Sequence, residues 1–112
     1  MVSHQVVRAL LLYYTSLTGF TGPLHVFLSR ERFEVIRRRR KYDESAAPEH
    51  KDFAATLTGR PPVTWVNLAK HRTVHALADT CAHEAVHIAL PDLRHGEEFT
   101  RRKRLLLRGL GF

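Results

Sequence analysis

Hydrophobic positions recur along the chain at two different periods, and the change from one to the other marks out the elements. Between residues 5 and 17, Val6, Val7, Leu10, Leu11, Tyr14 and Leu17 fall at steps of three and four, which gathers them on one side of a helix, and Thr18-Gly19 supplies a stop. Gly22-Pro23 then punctuates the chain, and Leu24-His25-Val26-Phe27-Leu28 has the length and apolar content of a largely buried strand. A second short strand is expected at residues 33–36, with the basic run after it either prolonging that strand or opening a loop. Residues 43–62 mix Pro, Gly, Ala and charges without a sustained period and read as a loop with at most one helical turn near 52–56. The run Val63-Thr64-Trp65-Val66-Asn67-Leu68 is rich in strand formers, and the preceding Pro61-Pro62 suits an edge strand.

From residue 73 to residue 90 the helical period returns. Val74, Leu77, Ala78, Cys81, Ala85, Ile88 and Ala89 form one stripe, Thr73 is a plausible N-cap, and Pro91 stops the helix. A last helix is expected over residues 96–108, with Phe99, Leu106 and Leu110 inward and Gly109 as terminator. The sum is an α+β domain: an N-terminal helix, a small twisted and mostly antiparallel sheet, a long helix and a short C-terminal one.

Length and composition narrow this picture only slightly. A chain of 112 residues that is 44% hydrophobic and 26% charged is expected to fold as one domain with one modest core. The single cysteine, Cys81, excludes an internal disulfide framework and a multi-cysteine zinc ribbon, and fits a reducing, intracellular, cytoplasmic setting. No stretch approaches the ~20 apolar residues of a membrane span, and the apolar run at residues 9–14 lacks the features of a signal peptide.

Chemistry enters with His83-Glu84-Ala85-Val86-His87, an H-E-x-x-H pattern inside the long helix. Positions four apart differ by about 40° around a helix, so both imidazoles project from one side, where a single ion can bridge them. With Val74 at 0°, the apolar stripe lies within about 60°, while His83 and His87 fall near 180° and 220°, away from the core. Zinc suits such a pair and, in catalytic sites, takes three protein ligands and leaves a position to water. Glu84, at about 280°, is off the ligand face yet adjacent to it, where it can act as the base for that water. The third ligand is expected from beyond the helix: His95, eight residues after His87, is the first candidate, with Asp92, Glu97 and Glu98 as alternatives.

His83-Glu84-Ala85-Val86-His87 followed by His95-Gly96-Glu97-Glu98-Phe99 resembles the SprT-like (Spartan-type) zinc metallopeptidases, whose pattern is H-E-x-x-H and then H-G-x-x-F. Trp65-Val66-Asn67-Leu68 and Leu77-Ala78-Asp79-Thr80 are similar to the strand and helix lead-in of that family, so the resemblance spans residues 63–99. The spacer between His87 and His95 is short, closer to that of compact bacterial relatives, and residues 96–112 contain no cysteine. The resemblance implies a minimal zincin fold, zinc on His83, His87 and His95, catalysis by Glu84, and hydrolysis of protein substrates, including DNA-linked ones. It also implies that the edge strand carrying Trp65, Val66 and Asn67 binds substrate backbone by strand addition, the alternative being a core strand with a buried tryptophan.

The charge of +7, from 18 Lys+Arg against 11 Asp+Glu, favours anionic partners. Arg37-Arg38-Arg39-Arg40-Lys41 and Arg101-Arg102-Lys103-Arg104 with Arg108 are candidate phosphate contacts for DNA or another nucleic acid, or else a solvated charged face. Cys81 reads as core filler, and His71 and His75, flanking the start of the long helix, as loop or surface residues, with assistance to substrate binding as the alternative. Tyr13, Tyr14, Tyr42 and Arg94 are candidate oxyanion stabilisers among which the pattern does not choose. The competing readings are a basic nucleic-acid-binding module with a structural zinc, and a regulatory peptidase specific for one partner.

Overall fold

A computed structural model describes residues 4–39, 53–57 and 61–111. The described residues form a compact α+β fold of four α-helices and a three-stranded sheet: α1 (His4–Leu17), β1 (His25–Phe27), α2 (Arg30–Arg39), β2 (Ala54–Leu57), β3 (Val63–Val66), α3 (Val74–Ala89) and α4 (Glu97–Arg108). Among them no helix is long and apolar enough to cross a membrane.

The sheet is mixed rather than mostly antiparallel, in the order β1-β3-β2. β1 runs parallel to β3, with Val26 opposite Thr64, and β2 runs antiparallel to it, with Thr56 opposite Thr64. The strand expected at an edge is therefore the central one. Pro61 and Pro62 precede the ladder instead of interrupting it, and the Pro62 carbonyl accepts from the His25 amide at 3.1 Å. All four residues of β3 are then free to pair on both sides, and all four are buried. β2 replaces the helical turn expected near 52–56; Ala-Ala-Thr-Leu has little strand preference of its own and takes its form from pairing with β3.

Residues 33–36 are helical, not extended. The Ser29 hydroxyl accepts from the Arg32 amide at 3.3 Å, Glu31 lies in the first turn, and Arg37, Arg38 and Arg39 occupy the last, all of which favour a helix. Phe33 and Ile36 face the sheet one turn apart, whereas Val35 is exposed. The helix gives the sheet a second cover. Phe33 and Ile36 pack with Leu57, Val63 and Trp65 on one face; Val26, Ala54 and Val66 join α1, α3 and α4 on the other.

The larger core surrounds α3. Its Leu77, Ala78, Cys81, Ala85 and Ile88 pack with Val7, Leu10, Leu11 and Tyr14 of α1 and with Phe99 and Leu106 of α4. Thr73 caps α3, its Oγ1 accepting from the Ala76 amide at 3.1 Å. Leu90 closes it just before Pro91, and Gly109 closes α4. Val74, Leu17 and Leu110, expected inward, are exposed because each sits at or beyond a helix end, outside the span its neighbours cover.

Candidate metal centre

The helical turn between His83 and His87 brings their Nε2 atoms to 3.2 Å. The chain then folds back: the Leu93 amide donates to the Leu90 carbonyl at 3.0 Å, and His95 returns with its Nε2 2.9 Å from that of His87. One nitrogen from each of the three rings lies within 4.8 Å of the others, close enough for all three to hold one metal ion. Asp92 and Glu97 do not join this group, and Glu98 is engaged by Arg101 at 2.7 Å and Arg102 at 2.8 Å.

Phe99, one turn into α4, forms the wall behind the rings. Its centroid lies 4.7 Å from that of His83 and 4.8 Å from those of His87 and His95. The buried ring restricts where each imidazole can turn while leaving its nitrogens toward the common point. Burial, and then the neighbouring His87 and His95, push the His83 pKa down to about 4. Burial followed by His95 lowers that of His87 in the same direction. Both shifts favour the neutral imidazole, the form that binds a cation.

Glu84 projects differently. It is buried, and its Oε2 accepts from the Thr56 hydroxyl of β2 at 2.6 Å. Burial pushes its pKa up to about 7, against the opposing effect of the Thr56 hydrogen bond. A cation held beside it favours the charged carboxylate. Glu84 and His83 line a cleft of about 800 Å³ together with Asp79, His71, Ala54 and Phe53. The arrangement thus combines three imidazole nitrogen donors, a carboxylate that is not one of them, and room for a ligand alongside.

Trp65, Val66 and Asn67 do not line this cleft. Trp65 packs with Phe33 beneath the sheet, Val66 lies in the main core, and the Asn67 side chain accepts from the Ala69 amide at 3.2 Å to start the turn at Leu68–Lys70. With β3 paired on both sides, a substrate-binding edge there is overturned. His71 is buried under the cleft, its Nδ1 2.8 Å from the Asn67 carbonyl and its Nε2 2.8 Å from the Thr80 hydroxyl, while His75 is exposed on the cleft wall. Tyr14 is wholly buried in the core and Tyr13 stacks edgewise on it, so neither faces the three imidazoles. Arg94 is exposed in the turn before His95, and Tyr42 lies outside the described residues. Cys81 is buried, its thiol pushed up to about 12 by burial and then by Glu84.

The basic runs are not continuous patches. Arg37 is buried and held by Glu34 through two contacts, at 3.0 and 2.8 Å, which removes it from the candidate phosphate contacts. Arg38 and Arg39 are exposed, and Arg40 and Lys41 lie outside the described residues. On α4 the helical turn separates the second run: Lys103 faces Asp79 of α3 at 3.2 Å, Arg101 and Arg102 pair with Glu98, and Arg104 and Arg108 are exposed. Thr56, which no motif marks, is the site residue that sequence reasoning missed. Comparison with protein-family models, curated proteins and solved structures finds no match.

Proposed function

We propose that this protein is a zinc-dependent peptidase of compact zincin form that hydrolyses peptide bonds in protein substrates. The observation that carries the reading is the convergence of three imidazole nitrogens beside a non-ligand carboxylate, which together with His83 lines a cleft. For zinc–nitrogen bonds of ~2.0–2.1 Å, tetrahedral ligands stand about 3.3–3.4 Å apart. The separations of 3.2 and 2.9 Å approach that value, and three imidazole nitrogens suit zinc better than the hard oxygen-seeking cations.

Zinc held there supplies Lewis acidity toward a substrate carbonyl and toward a water. His83, His87 and His95 hold the cation, and Phe99 keeps their rings in place. Glu84 takes the proton of the attacking water; as the water oxygen bonds to the carbonyl carbon and the C–N bond breaks, the proton passes to the leaving amine. Among the described residues β2 pairs only with β3, and Ala54 borders the cleft, so strand addition of an extended substrate falls to β2. Exposed Arg38, Arg39, Arg104 and Arg108 suit an anionic or DNA-associated substrate.

The test is digestion of casein by the purified protein, with and without DNA, a zinc chelator and restored zinc. Cleavage should stop with the chelator, return with zinc, and be lost in Glu84→Gln while that variant keeps its metal. Cleavage that survives chelation, or a Glu84→Gln variant as active as the wild type, sinks the proposal.

A further inference from the structure

The antiparallel register sets Thr56 of β2 directly across from Thr64 of β3, so both side chains leave the same face of the sheet, toward α3. Their hydroxyls are 2.9 Å apart, and Thr56 Oγ1 is 2.6 Å from Glu84 Oε2. Each hydroxyl has one proton to donate, and Glu84 in the charged form that a neighbouring cation favours can only accept. The Thr56 proton is therefore committed to Glu84, and the contact between the threonines is made by the proton of Thr64. The identity of the last acceptor settles the direction of the whole chain: Thr64 donates to Thr56, and Thr56 donates to Glu84.

Thr64 is completely buried and Glu84 is 4% exposed. In such surroundings a hydrogen bond to a charged oxygen is short and strong, and a donor already satisfied by a neighbour is held in one rotamer. Glu84 reaches this contact across 28 residues of sequence and from a different element, so the bond joins sheet to helix at the reacting carboxylate. Valine fills the volume of threonine; what the hydroxyls add beyond packing is direction. Oε2 is held from the sheet side, which leaves Oε1 as the oxygen available to the cleft that Glu84 shares with His83.

We infer that Thr56, oriented by Thr64, is a positioning residue that pins Oε2 of Glu84, so that Oε1 receives the proton of the attacking water. The inference rests on the peptidase reading for its consequence in turnover, but the pinning itself is measurable without turnover.

The experiment compares the zinc-loaded wild type with Thr56→Val, Thr56→Ser and Thr64→Val. The first readout is the infrared carboxylate band of Glu84, assigned by its loss in Glu84→Gln. The band should shift in Thr56→Val, shift in the same direction in Thr64→Val, and stay in place in Thr56→Ser. The second readout is casein hydrolysis: kcat should fall roughly ten- to hundredfold in Thr56→Val with KM changed by less than about twofold, as expected for a misaligned catalytic group. Thr56→Ser should retain most of the activity. Should Thr56→Val not fold, Thr64→Val carries both readouts, because it removes a hydroxyl that does not touch the carboxylate. An unmoved band in the valine variants overturns the inference, as does equal loss of kcat in Thr56→Ser and Thr56→Val, which would assign the effect to packing. A wild type that cleaves nothing refutes the peptidase reading separately, while the infrared comparison still decides the pinning.

Discussion

Replacing Phe99 by alanine removes a ring that is 3% exposed and lies 4.7–4.8 Å from all three imidazole centroids. A phenylalanine buried this far takes roughly 150–200 Å² out of water, about 4–5 kcal/mol at ~25 cal/mol per Å². Measured Phe→Ala losses of about 3–5 kcal/mol agree with that figure. A domain of this length has a total stability of about 6–17 kcal/mol, so Phe99→Ala should remain folded but close to the margin. A second loss should appear in metal binding, because the rings then turn freely: about 10–100-fold in affinity, the range seen when groups supporting metal ligands are removed. Urea unfolding of the metal-free protein measures the first effect, and competition with a chromogenic chelator measures the second. Phe99→Leu, which keeps most of the volume, should recover most of the stability and less of the affinity. An affinity unchanged in Phe99→Ala, whatever the loss in stability, would refute the argument that this ring organises the three histidines.

Three further outcomes follow from buried groups. Arg37→Ala should cost about 2–3 kcal/mol, since it strands Glu34 and empties a packed site, while Arg38→Ala and Arg39→Ala should stay within about 0.5 kcal/mol; equal effects in urea unfolding would contradict the burial of Arg37. The Tyr14 hydroxyl is buried without a hydrogen-bond partner among the described residues, and burial, then Cys81, pushes its pKa up to about 12. Folding thus favours the protonated phenol: the associated stability is complete below pH ~10 and is lost as pH rises through about 12. Tyr14→Phe should be neutral or stabilising at pH 8 and should blunt this alkaline loss; a variant destabilised by more than about 1 kcal/mol at pH 8 contradicts it. Cys81, the single thiol, should resist a thiol reagent at pH 8 in the native protein and react fully once unfolded; fast labelling of the native protein would count against its place in the core.

Long periodic segments were the most legible part of the sequence. The helices α1 and α3 each carry an apolar stripe sustained over about three or more turns, which local physics alone can organise, and α4 sets Phe99 and Leu106 two turns apart on one side. Short elements were not legible in the same way. In α2 the apolar residues of 33–36 resemble a strand, and the decisive signals are polar: Ser29 at the cap and the Glu34–Arg37 pair. For β2, four residues of weak preference become a strand only because β3 lies beside them, and whether β3 itself is central or at an edge depends on partners far away in sequence. The same distinction divides the site. His83 and His87 are related by one helical turn, and His95 by one short reversal, so spacing along the chain carries their convergence. Thr56 meets Glu84 only through the sheet register, and no local pattern could announce it.

X-ray absorption at the zinc edge of the purified protein addresses the central claim most directly. The proposed function requires one zinc per chain, with three imidazole nitrogens and one lighter-shell oxygen at about 2.0–2.1 Å, and the same spectrum in Glu84→Gln. A chain without stoichiometric metal, a shell closed by four protein ligands, or a spectrum changed by Glu84→Gln would contradict it.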